Sequence, residues 1–132
     1  MPALPWNGSD APQPDREYVV MASRLPLRSY RRVPGFLRLT AAVRRQLAGA
    51  PGLAGYSLRT DLPRKTFFTL SAWESQERLD AFARAMPHAE VMARLRPHMA
   101  PTTFVQWTVR GSSLPPAWDE ALARLRAAEG SR

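Results

Sequence analysis

The stretch that decides the fold is residues 66–95, TFFTLSAWESQERLDAFARAMPHAEVMARL. Its first eight residues, Thr66 to Trp73, are rich in aromatic and β-branched side chains and predict a strand. Ser75 can cap a following helix, because its side-chain oxygen accepts from the free amides of the first turn. Pro87 interrupts that helix, and we expect a short helix to restart there and run to about Arg96. The first of these helices carries an apolar stripe at helical spacing: Leu79, Phe82, Ala83 and Met86.

The segments on either side complete an order of elements that indicates a fold. Upstream, Leu53 to Asp61 predicts a strand that forms a hairpin with the one just described, through a turn at residues 62–65. Tyr18 to Leu25 predicts another strand, and apolar residues recur at helical spacing from Phe36 to Leu47. Downstream, Thr103 to Val109 predicts a fourth strand. The order β-α-β-β-α-β indicates an α+β, ferredoxin-like split βαβ fold, in which a four-stranded antiparallel sheet carries its helices on one face.

We expect the N-terminal end of the chain to be flexible and the C-terminal end to be folded. Residues 1–16 contain four prolines and few apolar side chains, so we predict a flexible N-terminal arm in which Trp6 is the exception, an aromatic suited to docking on a neighbour. Residues 17–132 are predicted to form a single domain. A pair of prolines precedes a C-terminal helix, which we predict over residues 116–128.

The predicted sheet is apolar on both faces. The third strand places Phe67 on one face and Phe68 and Leu70 on the other. The fourth strand alternates in the same way, with Phe104 on one face and Trp107 on the other. A sheet that is apolar on both faces needs cover on both faces. We therefore expect a homodimer that packs sheet against sheet, as a dimeric α+β barrel.

Composition excludes several classes of protein. The chain has 132 residues, no cysteine and no apolar run long enough to cross a membrane, so disulfides, thiolate metal sites and a transmembrane anchor are excluded. The formal charge is +8, but the eighteen arginines and one lysine are scattered, so we predict no nucleic-acid partner. The N-terminus lacks the pattern of a secretory signal, and we expect a cytoplasmic protein.

Three short motifs carry a family resemblance. They are Ala72-Trp73-Glu74-Ser75 at the end of a strand, the Met86-Pro87-His88 step between two helices, and the Trp-Asp-Glu-Ala-Leu sequence at 118–122. Together they resemble the antibiotic biosynthesis monooxygenase family of the dimeric α+β barrel superfamily, and most closely an uncharacterised branch of it. The resemblance spans Tyr18 to Val109 and the C-terminal helix. It implies the fold and a homodimer, whereas the reactions of that superfamily range from oxygenation and isomerisation to dehydration and haem binding.

Four residues are the candidates for catalysis. His88 is the best proton acceptor of the chain at neutral pH, because the ordinary pKa of histidine is about 6.5. Trp73, Tyr56 and Arg59 lie on paired strands, and an indole, a phenol and a guanidinium can together orient an aromatic or carbonyl substrate. The resemblance adds weight to Trp73, because family members line their pocket with aromatic and polar groups at this strand end.

A second set of residues is predicted to bind the substrate. Gln106 belongs to it because a polar side chain on an otherwise apolar strand face needs a partner or a ligand. His98 belongs to it because it lies on a loop that could close over a pocket mouth. The full set is Phe68, Phe82, Met86, Met92, His98, Phe104, Gln106 and Trp107. We predict no metal site, because the two histidines have no third ligand at helical spacing.

The function that these residues favour is a small-molecule enzyme. The resemblance implies a cofactor-independent, monooxygenase-like tailoring enzyme of secondary metabolism that acts on a small hydrophobic, aromatic or polyketide-like substrate. A cyclase, isomerase or dehydratase would need the same side chains. Haem binding is a further alternative, although the position ten residues after Phe82, where haem-degrading relatives place their iron ligand, holds Met92 and not a histidine. A non-catalytic ligand-binding protein is the remaining alternative.

Overall fold

A computed structural model describes residues 6–8, 12–85 and 88–130, with the side chains of residues 32, 39 and 88–91 outside that description. The predicted strands and helices are present, with bounds that differ by a few residues at most. In chain order the elements are β1 (Asn7–Gly8), β2 (Glu17–Pro26), α1 (Val33–Ala48), β3 (Leu53–Asp61), β4 (Thr66–Trp73), α2 (Gln76–Arg84), α3 (His88–Leu95), β5 (Thr103–Arg110) and α4 (Trp118–Gly130). None of these helices is long and apolar enough to cross a membrane.

The strands form one antiparallel sheet in the order β1-β3-β4-β2-β5. The ferredoxin-like α+β fold is thereby confirmed. The sheet has five strands where we predicted four, because the two residues of β1 pair with β3 through Asn7 with Tyr56 and Gly8 with Gly55. Strand β2 lies between β4 and β5, so the two central strands of the fold are β4 and β2.

Local sequence explains where β4 and its neighbours begin and end. The hairpin between β3 and β4 turns at Lys65, whose left-handed backbone (φ 53°) reverses the chain. Ser75 caps α2 as predicted, because its hydroxyl accepts from the amide of Arg78 at 3.2 Å. Gly52, also with positive φ (81°), follows α1, and a side chain there would collide with Arg78.

One face of the sheet packs against α1, α2 and α3. Side chains that share this face come from alternate positions of each strand, such as Met21 on β2, Tyr56 on β3 and Ser71 on β4. Two buried clusters fill the layer. One contains Leu25, Phe36, Phe67, Leu95 and Met99, and the other contains Leu47, Leu53, Tyr56, Trp73 and Leu79.

The opposite face of the sheet packs against α4. Ala121 and Leu125 of α4 are buried on Val20, Ala22, Phe68, Leu70 and Trp107. At the start of the helix, the indole N–H of Trp118 donates to the Ser57 hydroxyl at 3.2 Å. Near its end, Glu129 lies 3.7 Å from Arg24. We expected a second copy to cover this face, and instead the chain's own C-terminal helix covers much of it.

The described parts of the N-terminal segment are packed on the domain. The Trp6 indole lies on Gly55 and joins the cluster under α4. Further along, Pro14 and Arg16 accept backbone hydrogen bonds from Ser112 and Gly111 at 3.2 and 2.8 Å. Residues 6–8 and 12–16 of the predicted flexible arm make these contacts, whereas 1–5 and 9–11 lie outside the described residues, and the flexibility of the arm stays a prediction. Trp6 docks, as its aromatic character suggested.

Candidate functional site

A cavity of about 480 Å³ lies between the sheet and the layer formed by α1, α2 and α3. This volume is within the range of small-molecule sites. Most of the lining is apolar and comes from both layers: Met21, Leu25, Phe36, Val43, Leu47, Leu58, Phe67, Trp73, Leu79, Phe82, Met92 and Leu95. The lining also includes the exposed residues Leu37, Ala41, Arg44 and Ala83, so the cavity opens to solvent between α1 and α2.

One wall of the cavity is aromatic. Trp73 at the end of β4 is 1% exposed, and its ring centroid lies 5.1 Å from that of Phe82 on α2, with the planes tilted by 41°. The indole N–H donates to the hydroxyl of Ser71 at 2.9 Å. This bond satisfies the only polar group of the indole, so the buried ring is held in one orientation. The wall can therefore pack against a planar apolar molecule.

The sheet side of the cavity carries two neighbouring hydroxyl groups. Tyr56 on β3 lies directly opposite Ser71 on β4, and both line the cavity. Within the described residues, the Tyr56 hydroxyl has no hydrogen-bond partner. The Ser71 oxygen accepts from Trp73, so its own O–H remains available to donate. Thr69, by contrast, is hydrogen-bonded to Ser23. Both hydroxyl groups are therefore available as donors to a ligand in the cavity.

The structure brings together part of the predicted set. Trp73, Tyr56, Phe82 and Met92 line the cavity, as proposed from the sequence. His88 is the first residue of α3, four positions before Met92, and its side chain lies outside the described residues. Met86 also lies outside the described residues.

Arg59 and Phe68 have their side chains on the opposite face of the sheet. They pair with each other across β3 and β4, where Phe68 packs under α4 and the Arg59 guanidinium lies 5.9 Å from the Trp118 ring. Both residues still belong to the lining of the cavity, but the structure does not bring the Arg59 guanidinium to the face that carries Tyr56, so its role toward a substrate stays a prediction. The reason is strand alternation, because residues an odd number of positions apart lie on opposite faces.

Four further predicted residues lie outside the cavity. Phe104 and Gln106 are exposed on β5, which is an edge strand that α1, α2 and α3 do not cover. Trp107 lies on the α4 face, with the Arg124 guanidinium 4.6 Å from its ring. His98 closes a short turn after α3, where its carbonyl accepts from the amide of Arg28 at 2.9 Å. None of these four belongs to the lining of the cavity.

Ser71 and Arg44 are two of the cavity residues that were not among the predicted candidates. Ser71 could have been found, because it precedes Trp73 by two positions and so shares its strand face. Arg44 could have been found from the stripe Leu37, Ala41 and Arg44, which recurs about once per helical turn of α1. In the described part of the chain, no group of three His, Cys, Asp or Glu residues is placed to hold a metal ion.

Comparison with solved structures shows the same fold in proteins of distant sequence. One is a variant of SnoaB, a cofactor-independent oxygenase from Streptomyces nogalater (15% identity, TM-score 0.60, covering 74% of this chain and 97% of that one). Another is an antibiotic biosynthesis monooxygenase (14% identity, TM-score 0.62, covering 67% and 95%). A third is a dimeric ferredoxin-like protein of unknown function from Thermobifida fusca (15% identity, TM-score 0.60, covering 71% and 92%).

These likenesses confirm, at the level of the fold, the resemblance to antibiotic biosynthesis monooxygenases that the sequence motifs indicated. No curated protein has a matching sequence. A family described as "Domain of unknown function (DUF3291)" matches residues 28–131, which is most of the chain. The protein therefore belongs to the DUF3291 family.

Proposed function

We propose that the cavity binds a small aromatic or polyketide-like molecule and that the protein is a cofactor-independent, monooxygenase-like tailoring enzyme. The observation that carries the proposal is the composition of the cavity. It is about 480 Å³ in volume and mostly apolar, and two paired strand residues, Tyr56 and Ser71, carry hydroxyl donors on its sheet side. Hydroxyl donors in a dry apolar site are suited to stabilising an oxyanion.

The proposed reaction is the oxygenation of a phenol. The aromatic wall of Trp73 and Phe82 packs on the substrate ring, and Tyr56 and Ser71 donate to its phenolic oxygen. His88, at the start of α3, is the proposed proton acceptor that generates the phenolate. The phenolate carbon then reacts with dioxygen, and the phenol is converted to a quinone. One oxygen atom of dioxygen enters the product and the other leaves as water, so the substrate supplies all four electrons.

The fold neighbours support this reaction class. SnoaB is described as a cofactor-independent oxygenase, and the substrate-derived electrons of the scheme above remove the need for a cofactor. The same donor pair would also stabilise an enolate in a cyclisation, isomerisation or dehydration. Dioxygen consumption distinguishes these classes, because only oxygenation consumes the gas in step with the substrate.

We also propose that the protein is a homodimer. One fold neighbour is described as dimeric. On this chain α4 packs on the face that we first assigned to the second copy, whereas the edge strand β5 exposes apolar surface within the described part of the sheet. Phe104 on that strand is 53% exposed, and an exposed apolar edge strand needs cover. We therefore propose that the partner packs along β5.

Dioxygen uptake with a panel of polycyclic phenols tests the proposed reaction. A substrate should give one quinone per dioxygen consumed, without added metal, flavin or haem. Tyr56→Phe removes one oxyanion donor and should lower the rate by about 10²-fold or more. Tyr30→Phe is the matched control, because the exposed Tyr30 hydroxyl donates to Pro63 and neither residue lines the cavity. Equal rates for the two variants would refute the assignment of Tyr56.

A further inference from the structure

The mouth of the cavity is formed by one side of α1 and by α2. From α1 it is bordered by Leu37, Ala41 and Arg44, and from α2 by Ala83. Ala41 and Ala83 are small, so the two helices leave a gap there. Leu37 is 51% exposed, which is unusual for a large apolar side chain and extends the apolar lining to the surface. Arg44 is exposed at the same opening.

The charged side chains described at this mouth are positive. Two of the described lining residues are charged, Arg44 and Arg59, and the Arg59 guanidinium lies on the other face of the sheet. Among the described residues, the lining contains no Asp or Glu, and helix α1, which spans 16 residues, contains none. Within the described residues, Arg44 has no ion pair. The cavity thus has an apolar interior and one unpaired cation at its entrance.

We infer that the ligand of the cavity is an aromatic carboxylic acid, whose carboxylate binds Arg44 at the mouth while its ring system fills the interior. This inference rests on the proposed function and names its substrate class. A guanidinium binds a carboxylate through two parallel N–H donors, which fixes the orientation of the ligand as well as adding affinity. With the carboxylate at Arg44, the far end of the ring system lies toward Tyr56 and Ser71, where the proposed reaction needs a phenolic oxygen.

Paired probes that differ only in charge test the inference. The probes are 6-hydroxy-2-naphthoic acid and 6-hydroxy-2-naphthamide, titrated into the full-length protein by calorimetry at low salt. The acid should bind about two- to fivefold more tightly than the amide, the preference expected of an exposed guanidinium–carboxylate pair. Raising the salt concentration should reduce the preference, because exposed ion pairs are screened.

A pair of variants assigns the preference to Arg44. Arg44→Gln should bring the acid-to-amide ratio close to one and leave the affinity for the amide nearly unchanged. Arg45→Gln removes the same charge from the next exposed position of α1, which does not line the cavity, and should retain the ratio. An equal loss in both variants would show a general effect of surface charge and overturn the inference.

The outcomes separate this inference from the proposed function. If the acid and the amide bind the unaltered protein equally and Phe82→Trp abolishes the binding of both, the role of Arg44 is overturned. The cavity then remains the ligand site. Absence of binding by either probe overturns the small-molecule site itself, and the inference with it.

Discussion

Replacement of Gly55 by alanine should destabilise the protein through Trp6 alone. The Cβ atom of an alanine at position 55 would lie within 2.5 Å of the indole Cζ2 and Nε1 atoms of Trp6. Atoms do not approach so closely, so the indole must leave its position. Gly55 lies inside β3 without positive φ, and the strand backbone itself therefore accepts an alanine.

The magnitude follows from two opposing effects. Full loss of a buried tryptophan costs about 3–5 kcal/mol, and Trp6 is half-buried, so its displacement should cost about 2 kcal/mol. Alanine restricts the unfolded chain more than glycine does, which contributes about 0.5–1 kcal/mol in favour of folding. Gly55→Ala should therefore lower the free energy of unfolding by about 1 kcal/mol, or the melting temperature by about 4 °C.

A double-mutant cycle in urea unfolding checks this explanation. In a Trp6→Ala background the indole is already absent, so Gly55→Ala should change sign and stabilise the protein by about 0.5 kcal/mol. The coupling energy between the two positions should then be about 1.5–2 kcal/mol. Additive effects, or a loss at Gly55→Ala that persists without Trp6, would refute the docking of Trp6 on β3.

Four further predictions concern other parts of the molecule. Gly111→Ala should destabilise by about 1–3 kcal/mol in thermal unfolding, since its Cβ would meet the main-chain carbonyl of Gln13, which cannot rotate away as a side chain can. The Asp61 carboxyl should titrate below its ordinary pKa of 3.8, because Arg64 donates to it at 2.9 Å, and Arg64→Ala should raise that pKa in an NMR titration. Because this pKa is depressed in the folded state, the stabilisation is present above 3.8 and is lost as the pH falls through the folded value. Light scattering should show twice the chain mass, and Phe104→Glu on β5 should shift the protein toward monomer while its circular dichroism is retained. In an apolar dye-binding assay, Phe82→Ala should weaken binding to the cavity by about tenfold, whereas Phe104→Ala, outside the cavity, should leave it unchanged.

Several elements could be predicted from local sequence because their causes are local. The β3–β4 hairpin follows from two strand-forming runs around a short turn, and its strand bounds agree with the predicted ones. The start of α2 follows from Ser75, whose hydroxyl caps the helix wherever the helix packs. Trp73, Phe82 and Met92 were also predictable as cavity residues, since strand and helix periodicity determine which side chains face the layer between them.

Other parts of the site could not be obtained in this way, because they depend on how distant segments pack. Tyr56 and Arg59 are three positions apart on one strand, so their side chains lie on opposite faces of the sheet. Only the packing of the helices decides which of the two faces borders the cavity. Phe104 and Trp107 are both aromatic, which predicts core positions for both, but only Trp107 is buried. The cover comes from α4, while the exposed face of β5 lies beyond the reach of the three other helices.

The sequence by itself determined the order of the elements, the antiparallel α+β fold and the start of α2, because caps, breakers and periodicity act between neighbours along the chain. Tertiary structure decided what covers each face of the sheet. It placed α4 and Trp6 where a second copy was expected, and it left an apolar cavity under α1, α2 and α3. The physical reason is that both apolar faces of the sheet must be buried, but their sequence does not specify which segment buries them. Any apolar surface satisfies that requirement, and only the packed chain shows which segment supplies it.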